Sequence, residues 1–451
     1  MHINVIGAGL AGCEAAFQSA QRGLKVYLYE MKPQKKTPAH KSNMFSELVC
    51  SNSLKADRVE SAAGMLKEEM RVMNSLLMEC ADQCRVPAGG ALAVDRDKFS
   101  AMVTDRIRNH PNIQVVEKEV LNLDEFIQDK DGITVIASGP LTSESLSKSI
   151  QEKFGGALSF FDAAAPIVSA ESIDMEHAFT ASRYGKGDGD DYINCPMNKE
   201  EYENFHRELV NAERASLHDF DVNNPKVYEG CMPIEIMAQR GEDTIRFGPM
   251  KPVGLKDPKT GHRPWAVLQL RKENALGSMY NLVGFQTNLK FPEQKRVFGL
   301  IPALKNAEYY RYGVMHRNTF LNSPKILNSD YSAREYRNLF FAGQMTGVEG
   351  YMESASSGLL AGMNAARRAL GMETLTMPET SMTGALSRYI SCPEVEKFQP
   401  MGANLGVLPP LENRPRDKKE RAAAYAYRGL EDIEKFLNLS GENFKPANIQ
   451  K

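Results

Sequence analysis

The 451-residue sequence lacks an excess of charge of either sign: 55 lysines and arginines face 57 aspartates and glutamates, a formal net charge of -2. A protein that binds polyanions with its whole surface is normally basic, so any nucleic-acid contact must come from a local patch. No uninterrupted apolar run approaches a membrane span. Met1-His2-Ile3-Asn4 leads straight into Val5-Ile6-Gly7 with no charged leader or cleavage site, so a cytoplasmic setting with reduced thiols is expected. The seven cysteines include no CxxC pair and the eight histidines no HxxxH, which removes the usual zinc frameworks. Asp188-Gly189-Asp190-Asp191 begins like a calcium loop, but Ile193 stands where its glycine belongs and Lys199 where its bidentate acid belongs. No metal is expected. Internal repeats and low-complexity tracts are also missing, which excludes a solenoid or a disordered tail protein.

What is present is an ordinary globular composition, 42% hydrophobic and 25% charged. The length suits two or three domains of roughly 150 residues each. Residues 2–6 form an apolar run ending in the turn Gly7-Ala8-Gly9-Leu10-Ala11-Gly12. An Ala-rich helical stretch, 13–22, stops at Gly23, and 25–29 reads as a second strand closed by Glu30. This βαβ opening carries the dinucleotide fingerprint. Two glycines let backbone N–H groups approach a pyrophosphate, the third lets helix and strand pack closely, and the carboxylate at the second strand's end can bind a ribose. Two later segments also run strand-then-glycine, ending at Gly139 and Gly343, and they argue for FAD over NAD because FAD lies across a sheet to which the chain returns late. Many proteins with that late glycine place Asp after it; here it is Gln344.

The expected fold is α/β: a Rossmann-like FAD-binding domain of glutathione-reductase type, interrupted by an α+β insertion domain and followed by a helical C-terminal tail. The boundaries expected are 1–140 and 331–375 for the two parts of the FAD-binding domain, 141–330 for the insertion and 376–451 for the tail. Within the first part, 31–58 reads as a long polar loop, and apolar residues at 66, 70, 73, 77, 80 and 84 predict one long helix over 63–84.

Two thiols stand out. Cys50, in the polar loop Glu47-Leu48-Val49-Cys50-Ser51-Asn52-Ser53, is either an acid, base or nucleophile beside the flavin site or an inert packing thiol. Cys231, between Gly230 and Met232-Pro233, is either a reachable nucleophile or a buried strand cysteine. Cys13, Cys80 and Cys84 read as packing, and Cys195 and Cys392 have no partner at ligand spacing. Basic clusters at Lys32, Lys35, Lys36 and Lys41, and at Arg414, Arg416, Lys418, Lys419 and Arg421, read as solvated faces unless a polyanionic substrate requires them.

The stretches 7–16, 49–54, 86–96, 247–255, 311–318 and 347–351 together closely resemble the folate- and FAD-dependent tRNA (uracil-5-)-methyltransferases. They are distributed over most of the chain. The family is related to a larger flavoprotein that modifies wobble uridines and has a longer C-terminal region. The resemblance implies methylation of C5 of uridine 54 in the tRNA T loop, with 5,10-methylenetetrahydrofolate as carbon donor. Reduced FAD would supply the hydride and NAD(P)H would reduce the flavin again. It implies that Cys231 adds to uracil C6, that Cys50 removes the C5 proton, and that His316 stacks over the folate. Glu349 and Tyr351 would line the flavin pocket, with Gly350 in the same stretch. It implies tRNA as partner and neither a membrane nor an obligate protein partner. A ribosomal-RNA uridine, the wobble-uridine chemistry of the larger relative and a small-molecule FAD/NAD(P)H oxidoreductase are the alternatives.

Overall fold

The computed structural model describes residues 1–37, 39–155, 158–185, 189–215, 232–274, 276–395 and 398–447, with the backbone alone for 158–163 and 316–319. Cys231 and Asp188 lie outside the described residues, as does the side chain of His316.

The first apolar run forms the strand His2–Ile6, buried at every position after the first. It is flanked by Val26–Glu30 and Gly132–Ile136, with Ile113–Glu117 and Leu339–Phe341 at the two outer edges. All four pairings are parallel. Each strand therefore ends at the same edge of the sheet, where ligands of open α/β sheets bind. Continuous burial of Gly132–Ile136 and Leu339–Phe341 follows from helices covering the sheet. Two of these helices, Leu10–Gln21 and Tyr351–Ala369, cross at backbone contact. A Cβ added at Gly358 would lie 2.1 Å from the Ala11 carbonyl oxygen, and one at Gly362 would lie 2.5 Å from that of Ala15. Small residues at these positions therefore set how closely the late helix approaches the sheet.

A second, antiparallel sheet runs in the order Phe179–Thr180, Tyr192–Met197, Ala266–Lys272, Met279–Leu282, Ile167–Ser169 and Tyr309–Arg311. It encloses its own core around Phe205, Leu268, Leu270, Phe285 and Phe298, separate from the core of the parallel sheet. The long helix Lys418–Leu439 and the shorter Met382–Ser391 pack back on the first core, so the tail is helical with an irregular stretch between them.

Two expectations are corrected. The apolar stripe over 63–84 is carried by two helices, Ala62–Val72 and Leu76–Gln83. Asn74 turns left-handed at φ 57°, and Ser75 caps the second helix by accepting the Met78 N–H. The buried Glu14 carboxylate then accepts the N–H groups of Leu76 and Leu77 and the Ser75 hydroxyl. Leu66, Met70, Met73, Leu77, Cys80 and Cys84 are all buried, so the break leaves the stripe intact and periodicity does not reveal it. The polar stretch 31–58 is not loop throughout: Ser53–Ala56 pairs with Ala91–Val94, which also pairs with Arg85–Val86. Strands this short are below what alternation can signal.

Candidate active site

The C-terminal edge of the parallel sheet opens into a cleft lined by the Gly-rich turn, Glu30, Val120, Gly139, Gly343 and Tyr351. Two of the turn's glycines are forced by the protein. Gly7 sits at φ 100°, and a Cβ there would lie 2.7 Å from the Ala137 carbonyl oxygen; a Cβ at Gly12 would lie 1.7 Å from that of Gly7. Gly9 is different. A Cβ there meets nothing within 4 Å, so the protein itself does not require glycine. Gly9 is the N-cap of Leu10–Gln21 and gives that helix no side-chain cap, which leaves first-turn N–H groups directed into the cleft. A pyrophosphate is the group that fits such a terminus. Glu30 is buried at the cleft wall, with Oε2 accepting the Ala8 N–H at 2.8 Å and Oε1 the Lys32 N–H at 3.0 Å. Both bonds orient the carboxylate where a ribose hydroxyl can donate to it. These residues fit FAD.

The late glycines frame the other end. Gly343, at φ 86°, donates its N–H to Ser357 Oγ at 2.7 Å, and Gln344 Nε2 donates to Glu349 Oε2 at 2.8 Å. Gln344 thus holds the neighbouring carboxylate. Gly350, at φ 125°, turns the chain into the helix Tyr351–Ala369.

Tyr351 connects this helix to Cys50. Its hydroxyl oxygen accepts the backbone N–H of Cys50 at 2.8 Å and of Ser51 at 3.3 Å, and it lies 2.8 Å from Cys50 Sγ. With its lone pairs occupied by N–H donors, the phenol directs its own hydrogen to the sulfur. Burial, reinforced by the neighbouring thiol, raises the phenol's pKa well above its usual value, so it stays a donor. On the other side, Arg271 Nε donates to Asn52 Oδ1 at 2.9 Å and its Nη2 to Ser51 Oγ at 2.7 Å. Asn52 Nδ2 in turn donates to the carbonyls of Val94 and Lys272. Arg96 approaches the Glu273 carboxylate at 2.9 Å, and Arg96, Arg271 and Arg311 all lie within electrostatic reach of Cys50. The Cys50 loop is thus clamped between the late helix and a strand of the second sheet, among guanidinium groups that favour a thiolate.

The other described cysteines are blander. Burial pushes the Cys13 and Cys80 thiols up to about 12 and raises Cys84 and Cys195 as well. Cys392 donates to Glu394 Oε2 at 2.7 Å near the surface. The backbone of His316 sits opposite Asp162 in the pairing of Met315–Phe320 with Leu158–Ala163. Sequence reasoning missed Arg96, Arg271, Glu273 and Asp191. Asp191, the last residue of the stretch that fails as a calcium loop, is buried, accepts the Gly89 N–H at 2.7 Å and ties the second sheet to the stretch 86–96. Of the first basic cluster, Lys32 is not a solvated residue: it is buried and donates to the Met44 carbonyl at 2.5 Å. No group of three or more His, Cys, Asp or Glu side chains is arranged for a metal among the described residues, and none of their helices is long and apolar enough to cross a membrane.

Comparison with known proteins agrees with this geometry. The family described as glucose inhibited division protein A (GidA) matches residues 2–373. A relative from Acetivibrio thermocellus, the methylenetetrahydrofolate–tRNA-(uracil-5-)-methyltransferase TrmFO, is 58% identical over 438 residues, 97% of this chain and 99% of its own. The protein of the same name from Lactobacillus johnsonii is 56% identical over 436 residues, 96% of this chain and 98% of its own. Among solved structures, GidA of Aquifex aeolicus superposes with a TM-score of 0.64 at 16% identity, over 96% of this chain and 77% of that one, a likeness of fold. With the dinucleotide cleft, the late return to the sheet and relatives matched over almost their full length, this chain belongs to the GidA family, in the branch of the TrmFO proteins.

Proposed function

We propose that the chain methylates C5 of a uridine in tRNA, uridine 54 of the T loop, taking the carbon from 5,10-methylenetetrahydrofolate. The names of its near relatives support the donor and the acceptor base. The observation that carries the reading for this chain is the Cys50 loop, held between Tyr351 at the FAD cleft and Arg271 on the second sheet. A proton acceptor is needed there, because uracil C5 must lose its hydrogen after bonding to the donor carbon.

In the proposed sequence the Cys231 thiolate adds to C6, which makes C5 nucleophilic enough to bond to the folate's methylene carbon. Cys50 then takes the C5 proton, with the Tyr351 hydroxyl and the surrounding guanidinium groups keeping it available as thiolate. Tetrahydrofolate leaves, and Cys231 is expelled when the exocyclic methylene is reduced. Bound FAD, in its reduced form, would supply that hydride, and NAD(P)H is the proposed source of its electrons. Gly9 and Glu30 hold the dinucleotide, while Gly343, Gly350 and Tyr351 shape the far end of its cleft, and His316 is assigned to the folate by resemblance. The setting is cytoplasmic, with tRNA as the macromolecular partner.

The test incubates the purified protein with unmodified tRNA, NAD(P)H and folate labelled in its methylene carbon. Label recovered as 5-methyluridine in the T loop is the expected result. Label in ribosomal RNA only, or NAD(P)H oxidation without label in any RNA, overturns the assigned substrate. Cys231→Ala should abolish the covalent adduct with RNA containing 5-fluorouridine. Cys50→Ala should abolish methylation and retain the adduct; loss of the adduct would contradict the division of roles.

A further inference from the structure

On the edge of the second sheet three aromatic rings form a ladder that the reaction above does not use. Tyr309, packed against the second core, stacks on Tyr312 with ring centroids 4.8 Å apart and planes 8° apart. Tyr312 stacks on Phe291 at 4.7 Å and 16°. Phe291 ends the ladder at 51% exposure, and among the described residues its outer face meets no further ring. The ladder is held rigidly. Gln294, one turn into the helix Phe291–Phe298, donates to the Gly313 carbonyl and accepts the Gly313 N–H, both at 2.8 Å, directly beside Tyr312.

Three surroundings give the open end a chemistry. Lys295 lies four residues after Phe291, on the same helix face, exposed and without an ion pair among the described residues. Arg311, the residue before Tyr312, is within electrostatic reach of Cys50. The described residues flanking the stretch that carries Cys231 are pinned just before Phe291: Ala215 N–H donates to the Asn288 carbonyl at 2.8 Å, Ile234 N–H to that of Gln286 at 2.7 Å, and Lys290 N–H to that of Glu213 at 3.1 Å. A flat apolar ring face beside an unpaired cation is the pairing that holds an unstacked nucleotide, base on ring and phosphate on ammonium.

We propose that the Phe291–Tyr312–Tyr309 ladder is a stacking platform for an unstacked nucleobase of the RNA substrate, one that neighbours the modified uridine. The assignment rests on the reading of the chain as an RNA-modifying enzyme. A base laid on Phe291 continues the ladder, and Lys295 takes the adjoining phosphate. A uridine must leave its stack to expose both faces of C5 and C6, and a platform that captures its neighbour lowers the cost of holding the loop open.

The test uses the full flavin-loaded enzyme with unmodified tRNA, and with T-arm hairpins carrying 2-aminopurine at successive loop positions. Loss of one stacked base corresponds to a five- to hundredfold weakening, on the order of what alanine substitution removes. Phe291→Ala should raise the tRNA Kd and KM by that factor with kcat at saturating tRNA retained, and Phe291→Trp should restore binding. At one loop position, 2-aminopurine fluorescence should be quenched by the parent enzyme and not by Phe291→Ala. Lys295→Ala should weaken binding and reduce its salt dependence. Unchanged tRNA affinity in Phe291→Ala overturns the proposal, as does a raised KM for the folate alone, which would make the ladder a folate contact. If the parent enzyme itself fails to bind and methylate tRNA, it is the preceding functional reading that fails.

Discussion

Cys50 shows how much of a residue's chemistry lies outside its sequence neighbourhood. The motif 49–54 marks the thiol, but its donor, Tyr351, comes three hundred positions later, and the Arg271 that anchors the loop belongs to another sheet. Tyr351→Phe removes the hydrogen directed at the sulfur and the acceptor of two backbone N–H groups. A thiolate that loses a donor is less stabilised, so alkylation of the Cys50 peptide should begin at higher pH in the variant, read by mass spectrometry across a pH series. Stranding the two N–H groups should also cost about 1–3 kcal/mol of stability. An unchanged alkylation profile would leave Tyr351 with a packing role only. Cys13, Cys80 and Cys84 are the counterexamples. They were legible as packing from their places on helical stretches, and burial does raise their thiol pKa values.

At the scale of elements, the glycines separate folding from binding. Gly358 meets the Ala11 carbonyl across the helix crossing, and Gly9 meets nothing. Gly358→Ala should push Tyr351–Ala369 off Leu10–Gln21, lowering stability by about 1–3 kcal/mol or more and reducing flavin content with it. Gly9→Ala should leave the melting temperature of the flavin-free protein within about a degree, because an exposed alanine that touches nothing changes stability by at most about 0.5 kcal/mol, yet abolish flavin retention. Calorimetry and the flavin-to-protein absorbance ratio check both. The opening βαβ unit was readable because its period, its glycines and its closing Glu30 all agree. The helix break at Asn74 was not, since Glu14, which caps the second helix, is sixty residues upstream and shares no local pattern with it.

Across the whole molecule, two cores meet at a polar seam. Arg271, in the strand Ala266–Lys272, and Glu273, just beyond it, face Asn52 and Arg96, Asp191 takes the Gly89 N–H, and the Tyr192 hydroxyl donates to the Ala88 carbonyl at 2.9 Å. The seam includes the loop that carries Cys50. Arg271→Lys keeps the charge but cannot reach Asn52 and Ser51 together. With Cys50 in its proposed role, methylation should fall at least tenfold with flavin content retained, because a loosened proton acceptor loses its alignment before the cofactor site is disturbed. Single-turnover rates and bound flavin, measured on one preparation, check this.

Parallel-sheet class, cofactor type and family were all legible in the linear chain, because hydrophobic period, glycine placement and long shared motifs are local signals that survive without knowledge of contacts. The constellation around Cys50, the helix break at Asn74 and the ladder ending at Phe291 depend instead on residues apart in sequence. Folding brings these together by hydrogen bonds and ring contacts that leave no periodic trace along the chain, so they become visible only once the two sheets are set against each other.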